Sequence, residues 1–344
     1  MSTQENTEKH IESLKEDIRR KLDECRERIS EPRKILQQLD GLSVSLPSRL
    51  SELRVKGYVY RSYLEKKLEN LIDGWMKIRQ SFLTNVNDLE KRYKSRLKDI
   101  ELQLRESSLF DPNIAVGEEQ RLESIRLELE SLCDDIERSV DSILESVRDV
   151  EREFASVKWE INNAEQTLDK ASRIGLELQQ GEFLYAAFTG TLLGNEKAKC
   201  TVFLTNRRFI IVGEKDIVLK KILFIPVKKK KTYITIADMP IGYVKDVKPG
   251  KVGFFRGKGV YITAGTEEFV IDMEDYKVDT FIKHLIKAMR GDIDNEVIIN
   301  VKPEEKTMPK VVQCPYCGAP VKVPLIRGVT SIKCEYCGSI IHIK

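Results

Sequence analysis

The chain has little histidine, few aromatics and no long apolar run. Its three histidines, His10, His284 and His342, lie in three different regions of the 344 residues. No H-E-x-x-H, G-x-S-x-G, phosphate-loop or dinucleotide fingerprint occurs. Gly257-Lys258-Gly259 lacks the upstream spacing and the Ser or Thr of a phosphate loop. The expectation is a protein without catalytic activity. No apolar stretch reaches the roughly 20 residues of a membrane span. The polar start Met1–Asn6 lacks the apolar core of a signal peptide, so a cytoplasmic location is expected. Aromatics are 7% and charged residues 33%, a balance that favours long solvated helices over one large core. The net charge of +3 is too small for a global field to select nucleic acid or membrane.

Residues 1–180 read as a helical coiled-coil region. Ile11, Leu14, Ile18, Leu22, Cys25 and Ile29 mark one helix face. Pro32 is predicted to end or kink that helix, and residues 41–47 to connect it to the next. The second helix is predicted from about Pro47 to Ser107, with Leu64, Leu68, Leu71, Trp75, Phe82, Val86, Leu89, Tyr93 and Leu97 in its stripe. After a turn through Asp111-Pro112, heptads from Leu122 to Ala171 predict one long helix over about 118–178. A single rod cannot bury such a stripe. The two long helices are expected to fold back as an antiparallel hairpin over about 47–178, with the first helix as a third member. The narrow stripe also allows homo-oligomers. Cys25, Cys133 and Cys200 sit singly in apolar patterns and read as small core residues.

Residues 181–291 change period. Short runs rich in β-branched and aromatic residues recur: Val202–Leu204, Phe209–Val212, Ile217–Val227, Thr232–Ile236, Ile241–Val247, Val260–Ala264 and Phe269–Met273. Turns of Gly, Asn or charged residues separate them, which predicts a small barrel or sandwich. Val278, Phe281, Ile282, Leu285, Ile286 and Met289 then fall at helical spacing, with Asp275 a candidate N-cap and Gly291 suited to C′. Gly181-Glu182-x-Leu184-Tyr185-Ala186-Ala187, then Leu204-Thr205-Asn206-Arg207-Arg208, then a closing helix, resembles the pleckstrin-homology (PH)-like superfamily, in particular its GRAM-like and prokaryotic members. The resemblance covers about a third of the chain. It implies a PH-like β-barrel with a C-terminal capping helix, and a non-catalytic module binding lipid head groups, peptides or proteins.

That block is locally basic. Between Arg207 and Lys258, fourteen Lys and Arg face four acidic residues. The candidate anion-binding residues are Arg207, Arg208, Lys228, Lys229, Lys230, Lys231, Lys251, Phe254, Phe255, Arg256 and Lys258. Lys228–Lys231 reads as a loop. Phe254 and Phe255 would enter a lipid interface while the cations meet head groups, or else close the barrel mouth. Lysine runs also guard sheet edges.

Residues 292–310 read as a linker, with a short strand over 292–299 and a flexible Pro-containing tether after it. The strongest chemical signal follows: Cys314-x-x-Cys317, sixteen residues, Cys334-x-x-Cys337. This is zinc spacing. Four thiolates make a closed tetrahedral site, which argues for a structural ion over a catalytic one. Residues 311–344 resemble a zinc ribbon, a module too short to fold without its metal. His342 reads as a surface strand residue. The fold class expected is multidomain α + β: a long antiparallel coiled coil, a PH-like barrel and a zinc ribbon. The function expected is an adaptor or scaffold recruited to an anionic membrane surface or a protein partner. The alternative is a nucleic-acid-associated factor using the ribbon and the basic face.

Overall fold

The computed structural model describes residues 3–107, 115–194, 197–222, 225–252, 257–298, 311–322, 327–329 and 331–342. They form two compact units, residues 1–48 with 66–158, and residues 49–65 with 159–344. Helices α1 (Thr3–Val55), α2 (Tyr63–Ser107) and α4 (Arg148–Ile174) contribute to both units, while α3 (Ala115–Glu145) belongs to the first.

The first unit is a bundle. Ile11 to Ile29 of α1, Leu89 to Leu104 of α2 and Leu122 to Val140 of α3 share one core. Cross-helix pairs fix the directions. Arg33–Glu90 and Arg26–Glu101 run α2 antiparallel to α1, whereas Lys15–Glu118 and Arg28–Asp141 run α3 parallel to it. Lower in the bundle Trp75 is fully buried; its Nε1 donates to Asp40 at 3.0 Å, and Arg79 bridges the same carboxylate at 2.7 Å.

Three helical expectations are corrected here. Pro32 and Pro47 lie inside α1, which does not stop at residue 41. Each interior proline costs about 3 kcal/mol, but buried Ile29, Leu36, Leu39, Leu46 and Leu50 flank them, and tertiary burial outweighs the local cost. The helix reversal therefore falls at residues 56–62 instead of near Pro47. The helix expected over 118–178 is two, broken at Ser146-Val147, where the Ser146 hydroxyl caps the Ile143 carbonyl. Cys25 and Cys133 are not single core residues but a disulfide, with Cα atoms 5.8 Å apart. The parallel register of α1 and α3 brings them level.

In the second unit, seven antiparallel strands follow in chain order: β1 (Leu184–Leu193), β2 (Ala198–Thr205), β3 (Arg208–Ile222), β4 (Ile225–Pro240), β5 (Val244–Val252), β6 (Gly257–Ala264) and β7 (Glu267–Asp272). Their order in the sheet is β4-β3-β2-β1-β7-β6-β5. The barrel expected from the sequence does not close. Among the described residues β4 and β5 are free edges, because Pro249 and several lysines make β5 a poor pairing strand. The end of α4 covers one face, with Leu168, Ala171 and Ile174 on Leu184, Phe203, Ile210 and Val212. Helix α5 (Asp275–Arg290) covers the other, where Phe281 meets Phe188 edge-on at 5.1 Å. Gly291 ends α5 at φ 81°, as its sequence predicts. Asp275 does not cap; its carboxylate accepts the Lys258 amide instead.

The turn between α1 and α2 is built into this unit. Tyr58 and Tyr60 are buried, and the Tyr58 hydroxyl donates to the Tyr185 carbonyl. Arg54 holds the Tyr58 and Tyr60 carbonyls, both at 2.8 Å. Residues 292–296 form a 3-10 turn and not the expected strand; Ser62 N–H donates to the Glu296 carbonyl, and Ile298 N–H to that of Val59. No helix among the described residues is long and apolar enough to cross a membrane.

Candidate metal centre

Two short hairpins present the four cysteines. β8 (Val311–Gln313) pairs β9 (Pro320–Lys322), and β10 (Ser331–Lys333) pairs β11 (Ile340–His342). Each hairpin turns through one Cys-x-x-Cys. The two turns share one bond pattern twenty residues apart. Gly318 and Gly338 N–H donate to the Cys314 and Cys334 carbonyls at 2.8 and 2.9 Å. Cys314 and Cys334 N–H donate to the Ala319 and Ser339 carbonyls. Gly318 and Gly338 adopt φ 71° and 75°, a left-handed conformation that other residues enter at a cost. Glycine after each pair is thus what lets the turn close under the sulfurs.

The ligand atoms of Cys314, Cys317, Cys334 and Cys337 all lie within 4.8 Å of one another. Cys314 Sγ is 3.6 Å from Cys337 Sγ, and Cys317 Sγ 3.7 Å from Cys334 Sγ. Sulfurs bound to one ion at about 2.3 Å would stand about 3.8 Å apart on a tetrahedron. The four thiols therefore fit a metal ion. Their titration is divided. The hydroxyl and N–H of Ser339 pull Cys337 down to about 6. The Ala319 N–H favours the Cys317 thiolate, yet the bond to Cys337 and the neighbouring thiols push Cys317 up to about 12. An ion entering here displaces protons as it binds.

The module is docked on the sheet. Arg327 Nε donates to the Asn206 carbonyl at 3.1 Å, Arg327 Nη2 pairs with Asp294 at 2.8 Å, and Gly242 N–H donates to the Arg327 carbonyl at 3.0 Å. Gly328 adopts φ 89°, and a Cβ there would overlap the Arg207 carbonyl oxygen. Residues 300–310, expected as a tether, lie outside the described residues.

The turn that receives Arg327 is itself a network, and it engages two of the expected ligand residues, Arg207 and Arg208. The Glu182 carboxylate is fully buried. It accepts Thr205 Oγ1 at 2.6 Å, the Gln179 N–H at 2.8 Å, and both Arg208 Nε and Nη2 at 2.8 Å. Arg208 also pairs with Asp238. Burial would raise the Glu182 pKa, but the Arg208 guanidinium, the Gln179 N–H and the Thr205 hydroxyl together lower it. Arg207 donates to the Gln180 carbonyl, and Asn206 bridges Phe183 N–H and Gly181 O. The Leu-Thr-Asn-Arg-Arg run is thus a fold-holding turn, and Arg208 in particular is committed inside it.

Lys228–Lys231 is not a loop but part of β4, with Lys231 opposite Asp216 and Lys230 opposite Ile217. Lys231 pairs with Glu214. The side chains of Lys228, Lys229 and Lys230, and the whole of Phe254, Phe255 and Arg256, lie outside the described residues. Lys251 and Lys258 are exposed and directly opposite each other across β5 and β6. The sequence reading missed Arg327 and Gly328. An Arg-Gly pair between two knuckles is a local signal for a tight turn, but nothing local names the carbonyls it meets.

No family model and no curated protein matches the chain. Among solved structures, one of autoinhibited Vav1 is similar at 11% identity and TM-score 0.21, covering 97% of this chain and 70% of that one. A likeness at that level carries no argument.

Proposed function

We propose that this chain is a non-catalytic adaptor whose sheet domain binds an anionic surface at one end, with a structural zinc ion in its four-cysteine module. The seven-strand order, closed by α5, supports reading residues 181–291 as a PH-like domain. The tetrahedral sulfur spacing supports one bound metal ion over a disulfide pair. The helical bundle supplies reach.

The observation that carries the reading is the register. It places the β1–β2, β3–β4 and β6–β7 hairpin ends together at one end of the sheet, and points the β5–β6 hairpin end, with Lys251 and Lys258, the other way. The first of these ends gathers Lys197, Lys199 and Lys228–Lys231. Arg327 occupies the opposite end, at Asn206. Each well-placed cation is worth about 1 kcal/mol against an anionic surface. Lys197→Glu with Lys199→Glu should then weaken sedimentation with phosphatidylserine vesicles about 30-fold or more, and neutral vesicles should not bind either protein. Equal binding of both proteins to the anionic vesicles would remove the reading.

The second reading, a nucleic-acid-associated factor, is favoured by Tyr316 and Tyr336, equivalent in the two knuckles and 72% and 69% exposed. Free aromatic faces can stack on bases. Salt-sensitive RNA binding lost in Tyr316→Ala with Tyr336→Ala would select it. A cytoplasmic location belongs to the same proposal, subject to one condition: a Cys25–Cys133 disulfide is exceptional in a reducing compartment.

A further inference from the structure

The two edges of the sheet are not alike. β5 carries the usual guards against strand addition: Pro249 together with Lys245, Lys248 and Lys251. The first half of β4 is guarded too, by Pro226 and Lys228–Lys231. The stretch Tyr233-Ile234-Thr235-Ile236 is not. It is four consecutive β-formers without charge, all exposed, with Ile234 at 48% and Ile236 at 39%. Tyr233 stands opposite Glu214, and Ile234 opposite Gly213, on β3. The other side of this stretch meets no strand among the described residues. The ladder is irregular around Ile236, since Thr235 pairs Val212 but Ala237 pairs Ile211. Such a bulge ends regular pairing. The free segment is therefore the one that runs from the lysines to Ile236.

We infer that this edge of β4 takes an extended, acidic segment of a partner protein as an added strand. Backbone pairing along an exposed edge supplies affinity, and alternate side chains supply specificity. Charge chooses the occupant. Residues 215–231 carry seven lysines against one aspartate, and Lys215 is exposed opposite Thr232. A second copy of this chain would bring an equally basic hairpin alongside and be repelled. An antiparallel partner strand lays its first residues beside Tyr233–Ile236 and its later ones beside Lys228–Lys231. The motif that fits is β-branched first and acidic afterwards. This site shares Lys228–Lys231 with the proposed anionic contact; the Tyr233–Ile236 edge is its own.

The probe is a labelled peptide, Thr-Val-Thr-Val-Thr followed by four Glu, titrated against the full-length metal-loaded protein by fluorescence anisotropy. The key variant is Ile234→Lys with Ile236→Lys. It adds positive charge, so a purely electrostatic interaction would tighten, whereas strand addition against a guarded edge should weaken at least tenfold. Both positions are exposed, so the melting temperature should hold and report folding directly. A peptide with proline for the second Val should lose binding to the same extent, since proline removes a ladder donor. Replacing the four Glu by Lys should abolish it. The inference is overturned if the variant binds as tightly as the parent or tighter, or if four Glu alone bind equally well. It is also overturned if the parent ignores the peptide and instead forms a dimer that the variant loses.

Discussion

Replacing Gly328 by alanine tests whether the metal module is docked or tethered. Gly328 sits at φ 89°, and an added Cβ overlaps the Arg207 carbonyl oxygen. The left-handed backbone alone costs alanine about 1–2 kcal/mol, and the overlap forces the loop off its seat. Leaving the seat breaks the Arg327 bonds to the Asn206 carbonyl and to Asp294. Hydrogen bonds to a charged group are worth about 1.5–3 kcal/mol when buried. Arg327 and Asp294 are about a third exposed, so the ion pair is discounted to about 1 kcal/mol. The docking should weaken by about 3.5–6 kcal/mol in all, enough to undock the module without unfolding it. The assay is hydrogen exchange at the Gly242 amide, which donates to the Arg327 carbonyl. Its protection should fall at least a hundredfold, while the Cys314 and Cys334 amides inside the knuckles stay protected. Unchanged exchange at Gly242 would refute the docking argument.

Other outcomes follow from the same contacts. Breaking the buried Glu182–Arg208 pair with Arg208→Ala should cost about 3–5 kcal/mol, read as a lower denaturant midpoint. Because the Glu182 pKa is lowered on folding, its contribution is present above the unfolded carboxyl range near 4.3 and is lost as pH falls through the folded value. Glu182→Gln should flatten that acid limb of the stability curve. The Cys25–Cys133 disulfide closes a span of 108 residues, which the chain-entropy model values at about 5 kcal/mol. Reductant should lower the helical unfolding midpoint by a corresponding amount, and Cys25→Ser should abolish the reductant effect. Stripping the metal should unfold residues 311–342 while leaving the sheet transition in place. Rebinding should release protons, so metal affinity should fall with falling pH.

The sequence announced whatever depends on local spacing. The Cys-x-x-Cys pairs with their glycines, the 3-4 spacing of α5 and the heptads of α3 all carry a fixed period, and the corresponding elements stand where the period puts them. What it hid was decided by distant partners. Pro32 and Pro47 are local stop signals, overruled by leucines buried against other helices. Lys228–Lys231 looks like a loop by composition; pairing with β3 makes it strand. Arg207 and Arg208 read as a bare cation pair, because a run of cations does not reveal that Glu182, Asp238 and the Gln180 carbonyl accept hydrogen bonds from them. Cys25 and Cys133 each look solitary until α1 and α3 lie in parallel register.

The central claim is that the hairpin end of the sheet is the ligand-binding end. Hydrogen-exchange mapping of the full-length protein with phosphatidylserine vesicles tests it most directly. The account predicts protection at residues 197–199, 228–231 and 264–267, with residues 257–258, the Asn206–Arg208 turn and the two cysteine knuckles unchanged. Protection confined to the knuckles around Tyr316 and Tyr336, or none anywhere, would contradict it.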